Sequence, residues 1–404
     1  MSTNTLLTSS VITNELLRRF KNNLGFSGAV AHTWDDKFAV EGAKIGDTLR
    51  LRDPVLFTAQ AGPVLTPQNV VENQKTLQLN NQQVVGFSFS SKDLTLSIDN
   101  FAARYLDGAA VALANAVDIA GLTVADQTVG NLVGTPGTPP ANMGPFWSAG
   151  ETLDTGSAPM DGTRSMVIPP KIQTSVLTAA SGLFQSSAQI KQQYERGRMG
   201  IMGGFEWVMD QNCRTHTVGP LGGAPVVAGA GQTGSTLATS GWTAAAAVRL
   251  NAGDIFTLPG VFKVNRITGD IKTDLQQFVV TAQASSDATG AATLSIYPPI
   301  ITTMPGQTVS ASPAASAALT IVGTANTGFI TGIGFHRDAF ALGMAPLEVP
   351  KNIQFGANQQ DPDTGCAIRM VSMYDIINDL FVTRCDVLFG WVCQRPEWCV
   401  KIAS

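Results

Sequence analysis

Residues 219–325 most constrain what this chain can fold into. The block is rich in Gly, Ala, Ser and Thr and carries few charges. Strand-forming runs follow one another through it: "DIFTL", "VFKVN", "FVVTAQAS", "ATLSIYP" and "ALTIV". The turn-forming groups "LPG", "TGD", "SDATG" and "MPGQ" separate them, and no helical run intervenes. Short strands at this spacing predict a small antiparallel barrel or sandwich. After residue 326 the composition returns to normal, so the block reads as an insertion in a larger fold.

That larger fold has room. The chain has 404 residues, enough for two to four domains or one large domain with insertions. Hydrophobic residues make up 44%, which supports a substantial core. Charged residues make up only 14%, against roughly a quarter in an ordinary soluble domain. Such a surface is neutral-polar or covered by neighbours. The net charge is −4 and no dense Lys/Arg cluster occurs, which argues against a general electrostatic grip on nucleic acid. The opening "MSTNTLLTSSVITNELLRRF" has no basic segment ahead of an apolar run, so no signal peptide is expected. No apolar run reads as long enough to cross a bilayer. Cys213, Cys366, Cys385, Cys393 and Cys399 are odd in number and show no C-x-x-C spacing. Free, mostly buried thiols in a reducing compartment are expected. A zinc site is the weaker rival, since His32, His216 and His336 are scattered and no H-E-x-x-H occurs.

Ahead of the block, "VITNELLRRFKNN" (11–23) predicts a short amphipathic helix. Val11, Leu16, Leu17 and Phe20 face one way, Arg18, Arg19 and Lys21 face water, and Gly25 stops it. So short a helix is marginal alone and needs something to dock on. Residues 45–92 read as an extended polar ribbon through "DTLRLRD", "KTLQLNNQ" and "VGFSFSS", each alternating. It has too little apolar surface to fold alone. It is either an edge hairpin of an ordinary sheet or an arm that reaches a neighbouring subunit. Arg50 and Arg52 share one side of it, because side chains two apart on a strand face the same way. They are candidate subunit-interface residues.

Residues 99–120 predict the clearest helix, capped by Asp99 and ended by Gly121. Phe101, Tyr105, Ala112, Ala116 and Ile119 share one face, with Leu106, Leu113 and Val117 beside it. Arg104, Asp107, Asn115 and Asp118 lie opposite. Residues 130–160 read as loop, "RSMVIPP" as a strand, "PKIQTSVLTAASGLF" as a helix and "GFEWVMDQN" as a strand. Late in the chain, "CAIRMVSMYDI" and "LFVTRCDVLFGWVC" read as two long strands around the turn "INDL", with "RPEWCVKI" as a strand-like end.

The motifs that suggest chemistry fail on context. "GAGQTG" (229–234) fits G-x-G-x-x-G, with Asp254 about 20 residues on, but no β-α-β unit surrounds it. "DPDTG" (361–365) lacks the spacing and distant Glu of a calcium loop. "HRD" (336–338) opens a kinase catalytic loop, yet the position of the magnesium-holding Asn is Gly343, and no D-F-G follows. No enzyme is expected, and no catalytic residue, cofactor or metal.

The order of parts, with "GFHRDAFALGMAPLEVP" (334–350) and "IRMVSMYDIINDLFVTRCDVLFGWVCQRPE" (368–397), resembles the major capsid proteins of tailed phages with the Hong Kong 97-type fold. It is similar in particular to the P-twenty-two-like, gene-5-type coat family. "LNAGDIFTLPGVFKVNRITGDI" (250–271) resembles that family's inserted β domain, and "SIDNFAARYLDGAAVALANAVDIAG" (97–121) its spine-helix region. The resemblance implies an α+β fold with an N-terminal arm at 1–44 and an extended loop at 45–92. The spine helix and first part of the peripheral and axial core would be 93–218, the inserted antiparallel β-barrel 219–325, and the return to the core 326–404. It also implies self-assembly of pentamers and hexamers into an icosahedral shell around double-stranded DNA, enclosed without sequence-specific binding. A scaffolding protein, a portal and a decoration protein would be partners, with assembly in the host cytoplasm and no membrane. The alternatives are a bacterial nanocompartment shell and another β-rich structural subunit of a tail or surface layer. In this setting Phe335, Ala339 and Phe340 suit core packing, and Arg337 and Asp338 become candidates for structural ion pairs.

Overall fold

The computed structural model describes residues 9–32, 48–52, 74–90, 106–180, 200–351, 355–361 and 364–404, with positions 55, 57, 67 and 353 between them. The chain divides into two compact units, 1–51 with 75–121 and 340–392, and 52–74 with 122–339 and 393–404.

In the first unit, helix α1 (Ser9–Asn22) buries Leu16, Leu17 and Phe20. Glu15 holds Arg18 and Arg19 at 2.6 and 2.7 Å, the spacing at which helix side chains meet. Lys21 reaches Asp361 at 2.6 Å. The chain then turns, and Phe26 packs edge-on to Phe340 and stacks on Trp391, both at 5.4 Å.

Helix α2 (Asp107–Thr128) corrects its sequence expectation where it is described. The expected cap at Asp99 lies outside the described residues. Gly121 does not end the helix, which runs on to Thr128. A Cβ there would stand 2.7 Å from Trp391 and 2.8 Å from Phe26, so the glycine marks a close approach of two rings rather than a stop. The buried face is also rotated: Leu106, Ala109, Ala110, Leu113, Ala114 and Val117 are inside, while Ala112 and Ile119 are exposed. Small residues bring the aromatic rings to that side, and Trp391 Nε1 donates to Val117 O at 3.1 Å. Asp118, expected in water, is buried and accepts the Gly25 and Ser27 amides, both at 2.8 Å. By length and composition α2 would also serve as a membrane span, against expectation, but half of that window is buried in the protein. That is how a core helix behaves.

The sheet of this unit has the order Phe340–Ala345, Leu380–Cys393, Ala367–Asp375, Phe355–Gln360, and Asn81–Ser90 also pairs with Leu380–Cys393. That last pairing runs from Leu380↔Ser90 to Phe389↔Asn81. The end of the polar ribbon is therefore a sheet strand of its own chain. The strands Thr48–Arg52 and Gln74–Gln78 make a separate two-stranded sheet.

The second unit holds a seven-stranded sheet in the order Leu132–Val133, Cys399–Ala403, Gly328–His336, Arg164–Ile168, Phe205–Met209, Ile201–Met202, with Thr215–Thr217 also paired to Gly328–His336. Helices α3 (Gly144–Thr155) and α4 (Pro170–Ala180) cover it through Phe146, Leu153, Ile172 and Val176, packed with Met166, Ile168, Val400 and Ile402. Helix α3 falls where a loop was expected. Pro145 sits in its first turn, where a missing N–H costs no hydrogen bond.

The 219–325 block folds as a six-stranded antiparallel sheet around its own apolar cluster, with Phe256 stacked on Phe278 at 5.6 Å. Its order is Thr320–Ile321, Ile255–Val264, Ile271–Val280, Ala292–Ile300, Gly234–Trp242, Gly223–Val227. Two expectations are corrected here. "LPG" is no turn: Ile255–Val264 is one strand, with a register shift between Thr257 and Phe262 and Gly260 at φ +77°. Nor is there a closed barrel. The sheet is a curled half-barrel. The chain just ahead of the two-residue strand Thr320–Ile321 meets Gly223–Val227 at one isolated pair, Val226↔Ala318, with backbone bonds from Val227 N to Ala317 O, Ser316 N to Val227 O and Leu319 N to Pro225 O, each 3.0 Å.

Candidate functional site

For a chain without catalytic constellations, the surface carries the functional question. Among the described residues no group of three or more His, Cys, Asp or Glu side chains is placed to hold a metal ion. "GAGQTG" lies between the strands Gly223–Val227 and Gly234–Trp242, and Asp254 is buried against His216. The five cysteines are free, and four of them are buried. Burial pushes the Cys385 thiol up to about 12, with the Asp386 charge adding to it, so this sulfur stays protonated and inert.

The most exposed large apolar side chains stand together on a hairpin of the first unit. Ala367–Asp375 and Leu380–Cys393 are joined by a short turn at whose head Ile376 and Ile377 are 82% and 92% exposed. Met373 and Val382, cross-strand partners just below, are exposed as well. Water penalises each of these by about 25 cal/mol per Å² of apolar surface, and contiguous exposed patches mark contact sites.

The turn that holds them out is well built. Asp375 accepts from Ile377 N at 2.9 Å and Asn378 Nδ2 at 2.6 Å, and these bonds hold its carboxyl below the usual carboxylate range. Tyr374 donates to Asp379 at 2.8 Å and packs on Phe381 at 4.8 Å. Asp379 takes the left-handed conformation, φ +51°, that short polar residues tolerate. Further down the same face, Asp386 is fully buried between Arg369 on the neighbouring strand and Arg384, the latter at 2.7 Å. Arg369 also donates to Glu348 O at 2.7 Å. The apolar tip thus stands on a pinned base, so a partner meets a surface whose ordering is already complete.

The residues singled out from the sequence lie elsewhere. Arg50 and Arg52 are exposed on Thr48–Arg52, and Arg50 pairs with no carboxylate among the described residues. Arg337 and Asp338 are exposed on a single 3-10 turn, Arg337–Ala339. Asp338 N donates to His336 Nδ1 at 3.2 Å, and its carboxylate stands 4.0 Å from the same nitrogen. His336 Nε2 faces Thr163 Oγ1 at 2.9 Å and Asp161 at 3.2 Å, so this buried histidine has partners on both sides. Phe335, Ala339 and Phe340 are buried. The sequence reading puts Ile376 at the end of the strand "CAIRMVSMYDI" and Ile377 in the turn "INDL", and assigns neither a contact. The available signal was two adjacent isoleucines inside a polar turn.

A family model described as "P22 coat protein - gene protein 5" matches residues 1–402. No curated protein matches the chain in sequence. Among solved structures the chain is similar to one from Mycobacterium phage Che8, at 13% identity over 93% of this chain and 90% of that one, with a TM-score of 0.44. It is also similar to the capsid of Ralstonia phage GP4, at 7% identity over 93% and 87%, TM-score 0.46. A virus-like particle from Pyrococcus furiosus is similar at 8% identity over 97% and 98%, TM-score 0.44.

Proposed function

The chain belongs to the P22 coat protein family, and from that premise we propose how its parts serve a shell. It is the major capsid protein of a tailed phage, a structural protein of the virion and not an enzyme, and copies of it assemble into the capsid. In our reading the shell is icosahedral, built of pentamers and hexamers around double-stranded DNA held without sequence-specific contacts. Residues 1–44 act as an arm and 45–92 as an extended loop, rooted in its own sheet by Asn81–Ser90 and otherwise laid on a neighbour, with Arg50 and Arg52 facing that neighbour's acidic residues. Residues 93–218 and 326–404 form the peripheral and axial core, and 219–325 is a stabilising insertion of half-barrel form. Scaffolding and portal proteins, and a decoration protein, are partners in this reading.

The observation that carries it is the pinned hairpin tip. Ile376, Ile377, Met373 and Val382 form an apolar patch that a free monomer has no reason to keep in water and that a ring of identical subunits would bury. The test is the double variant Ile376→Asp with Ile377→Asp, co-expressed with scaffolding protein. Monomer melting should match the parent, since both side chains lie outside the core, while shells should fall to a small fraction of the parental yield by sedimentation and negative-stain microscopy. Parental shell yield from the double variant would remove the hairpin from the assembly contacts.

A further inference from the structure

The second unit encloses a set of buried charges drawn from four separate stretches of the chain. His216 stands on the strand Thr215–Thr217, just ahead of the 219–325 block. Its Nδ1 lies 2.9 Å from Asp126 Oδ2 and its Nε2 lies 2.9 Å from Asp254 Oδ1. Asp126 belongs to the end of α2, and Asp254 to the turn that leads into Ile255–Val264. Lys401, on the C-terminal strand, donates to Asp126 O at 2.8 Å and Gly253 O at 3.1 Å, with the Asp126 carboxylate at 3.5 Å. The second oxygen of Asp254 accepts from Asn251 N at 2.7 Å and Gly219 N at 3.1 Å. The side chains of His216, Asp254 and Lys401 are 4%, 1% and 3% exposed.

The chemistry of the partners sets the protonation state. An ionised carboxylate only accepts hydrogen bonds, so an imidazole nitrogen facing one must carry a proton. His216 faces a carboxylate at each nitrogen and is therefore an imidazolium. Two cations then balance two anions, which is how a buried charge set avoids an uncompensated ion. Burial by itself would lower the His216 pKa, but the bonds from Asp126 and Asp254 outweigh it and raise it above 6.5. Burial would likewise raise Asp126, but the Lys401 and His216 charges hold it below the usual carboxylate range. Lys401 is pushed down by its burial. Among the described residues no other charge faces the ring; the Gly328–His336 strand places Phe329 against it at 5.4 Å.

We propose that Asp126, His216, Asp254 and Lys401 form a proton-dependent latch that ties the root of the 219–325 segment to α2 and the C-terminal strand. Loss of one proton from His216 to solvent leaves a ring lone pair facing a carboxylate lone pair in a site closed to water. A histidine whose folded pKa is raised contributes stability that is complete below its unfolded value, near 6.5, and lost as pH rises through the folded value. The histidine's share of the latch is therefore complete below its unfolded value and lost as pH rises through the raised folded value, while the share of Asp126 is lost as pH falls through its depressed value.

The chain has three histidines, so full-length protein labelled at histidine 13Cε1 gives three ring signals, and His216→Gln identifies one. His216 should titrate above its ordinary value, near 6.5. Asp126→Asn should move that midpoint down by about one unit or more, each unit being tenfold in proton affinity. Hydrogen exchange at 217–222 and 251–255 should rise roughly tenfold beyond intrinsic base catalysis over the same interval, and this step should vanish in His216→Gln. A His216 ring that titrates at or below its ordinary value, or an exchange step that survives in the glutamine variant, overturns the latch. If that variant does not fold, the parent's own ring titration and exchange profile still decide it.

Discussion

Single residues in this protein often do other work than their type suggests. Gly121 reads as a helix stop and Asp118 as a solvated carboxylate. In the folded chain the first is a socket for Trp391 and Phe26, and the second ties down the turn at Gly25 and Ser27. Helix propensity charges a mid-helix glycine about 1 kcal/mol relative to alanine. Alanine should therefore stabilise, unless the space is taken. Here the added methyl would sit 2.7 Å from the Trp391 ring. Overpacking of that kind costs about 1–3 kcal/mol and outweighs the propensity gain. Gly121→Ala should lower the urea midpoint with an unchanged m-value; a rise in the midpoint would show that the rings move aside.

At the level of elements, the hairpin of Ala367–Asp375 and Leu380–Cys393 separates folding from assembly. Its strands are held by cross-strand pairing and the Arg369–Asp386–Arg384 set, and its turn by Asp375. Asp375→Ala removes the two bonds that shape the turn while leaving Ile376 and Ile377 in place. Thermal melting of the monomer should change little, and shell yield should fall because the apolar tip is no longer presented in one conformation. Acid should act in the same direction. The Asp375 pKa is depressed by the Asn378 and Ile377 bonds, so its contribution is present above the ordinary carboxylate range and is lost as pH falls through the depressed value. Parental yield from Asp375→Ala would show that the turn needs no such order. The strand Ile255–Val264 teaches a related lesson: Pro259-Gly260 makes a turn in an isolated hairpin, but neighbours on both sides can carry a strand through it as a bulge.

On the scale of the whole molecule, a charge content of 14% suits a subunit whose exposed area is largely shared with copies of itself. Exposed ion pairs are worth only ~0.2–1 kcal/mol each, but a closed shell repeats every contact. Arg50 and Arg52 project from one side of Thr48–Arg52. Replacing both with glutamate should leave the monomer's melt close to the parent's and reduce shell yield, more so at low salt than at high, because screening weakens exposed pairs. Equal yields at both salt concentrations would assign these arginines to solvent.

Local information was enough for much of this architecture. Alternation marked the strands at 48–52 and 74–78 and the "VGFSFSS" part of 81–90, the two late runs marked 367–375 and 380–393, and turn chemistry located "TGD" and "SDATG". The failed dinucleotide and kinase contexts excluded the chemistry that a three- or six-letter match would have suggested. What the sequence could not decide was which groups meet. The buried side of α2 depends on Phe26 and Trp391, far apart in the chain, and an alanine-rich helix has no strong apolar stripe to choose a side by itself. The edges of the half-barrel meet only around Val226 and Ala318, a property of pairing rather than of either segment. His216, Asp126, Asp254 and Lys401 lie in four separate stretches, each an ordinary polar residue in its own context. Periodicity reports what a segment needs from its surroundings; only tertiary contact decides which surroundings supply it, because the energy of a buried charge or a ring socket resides in the pair and not in either partner.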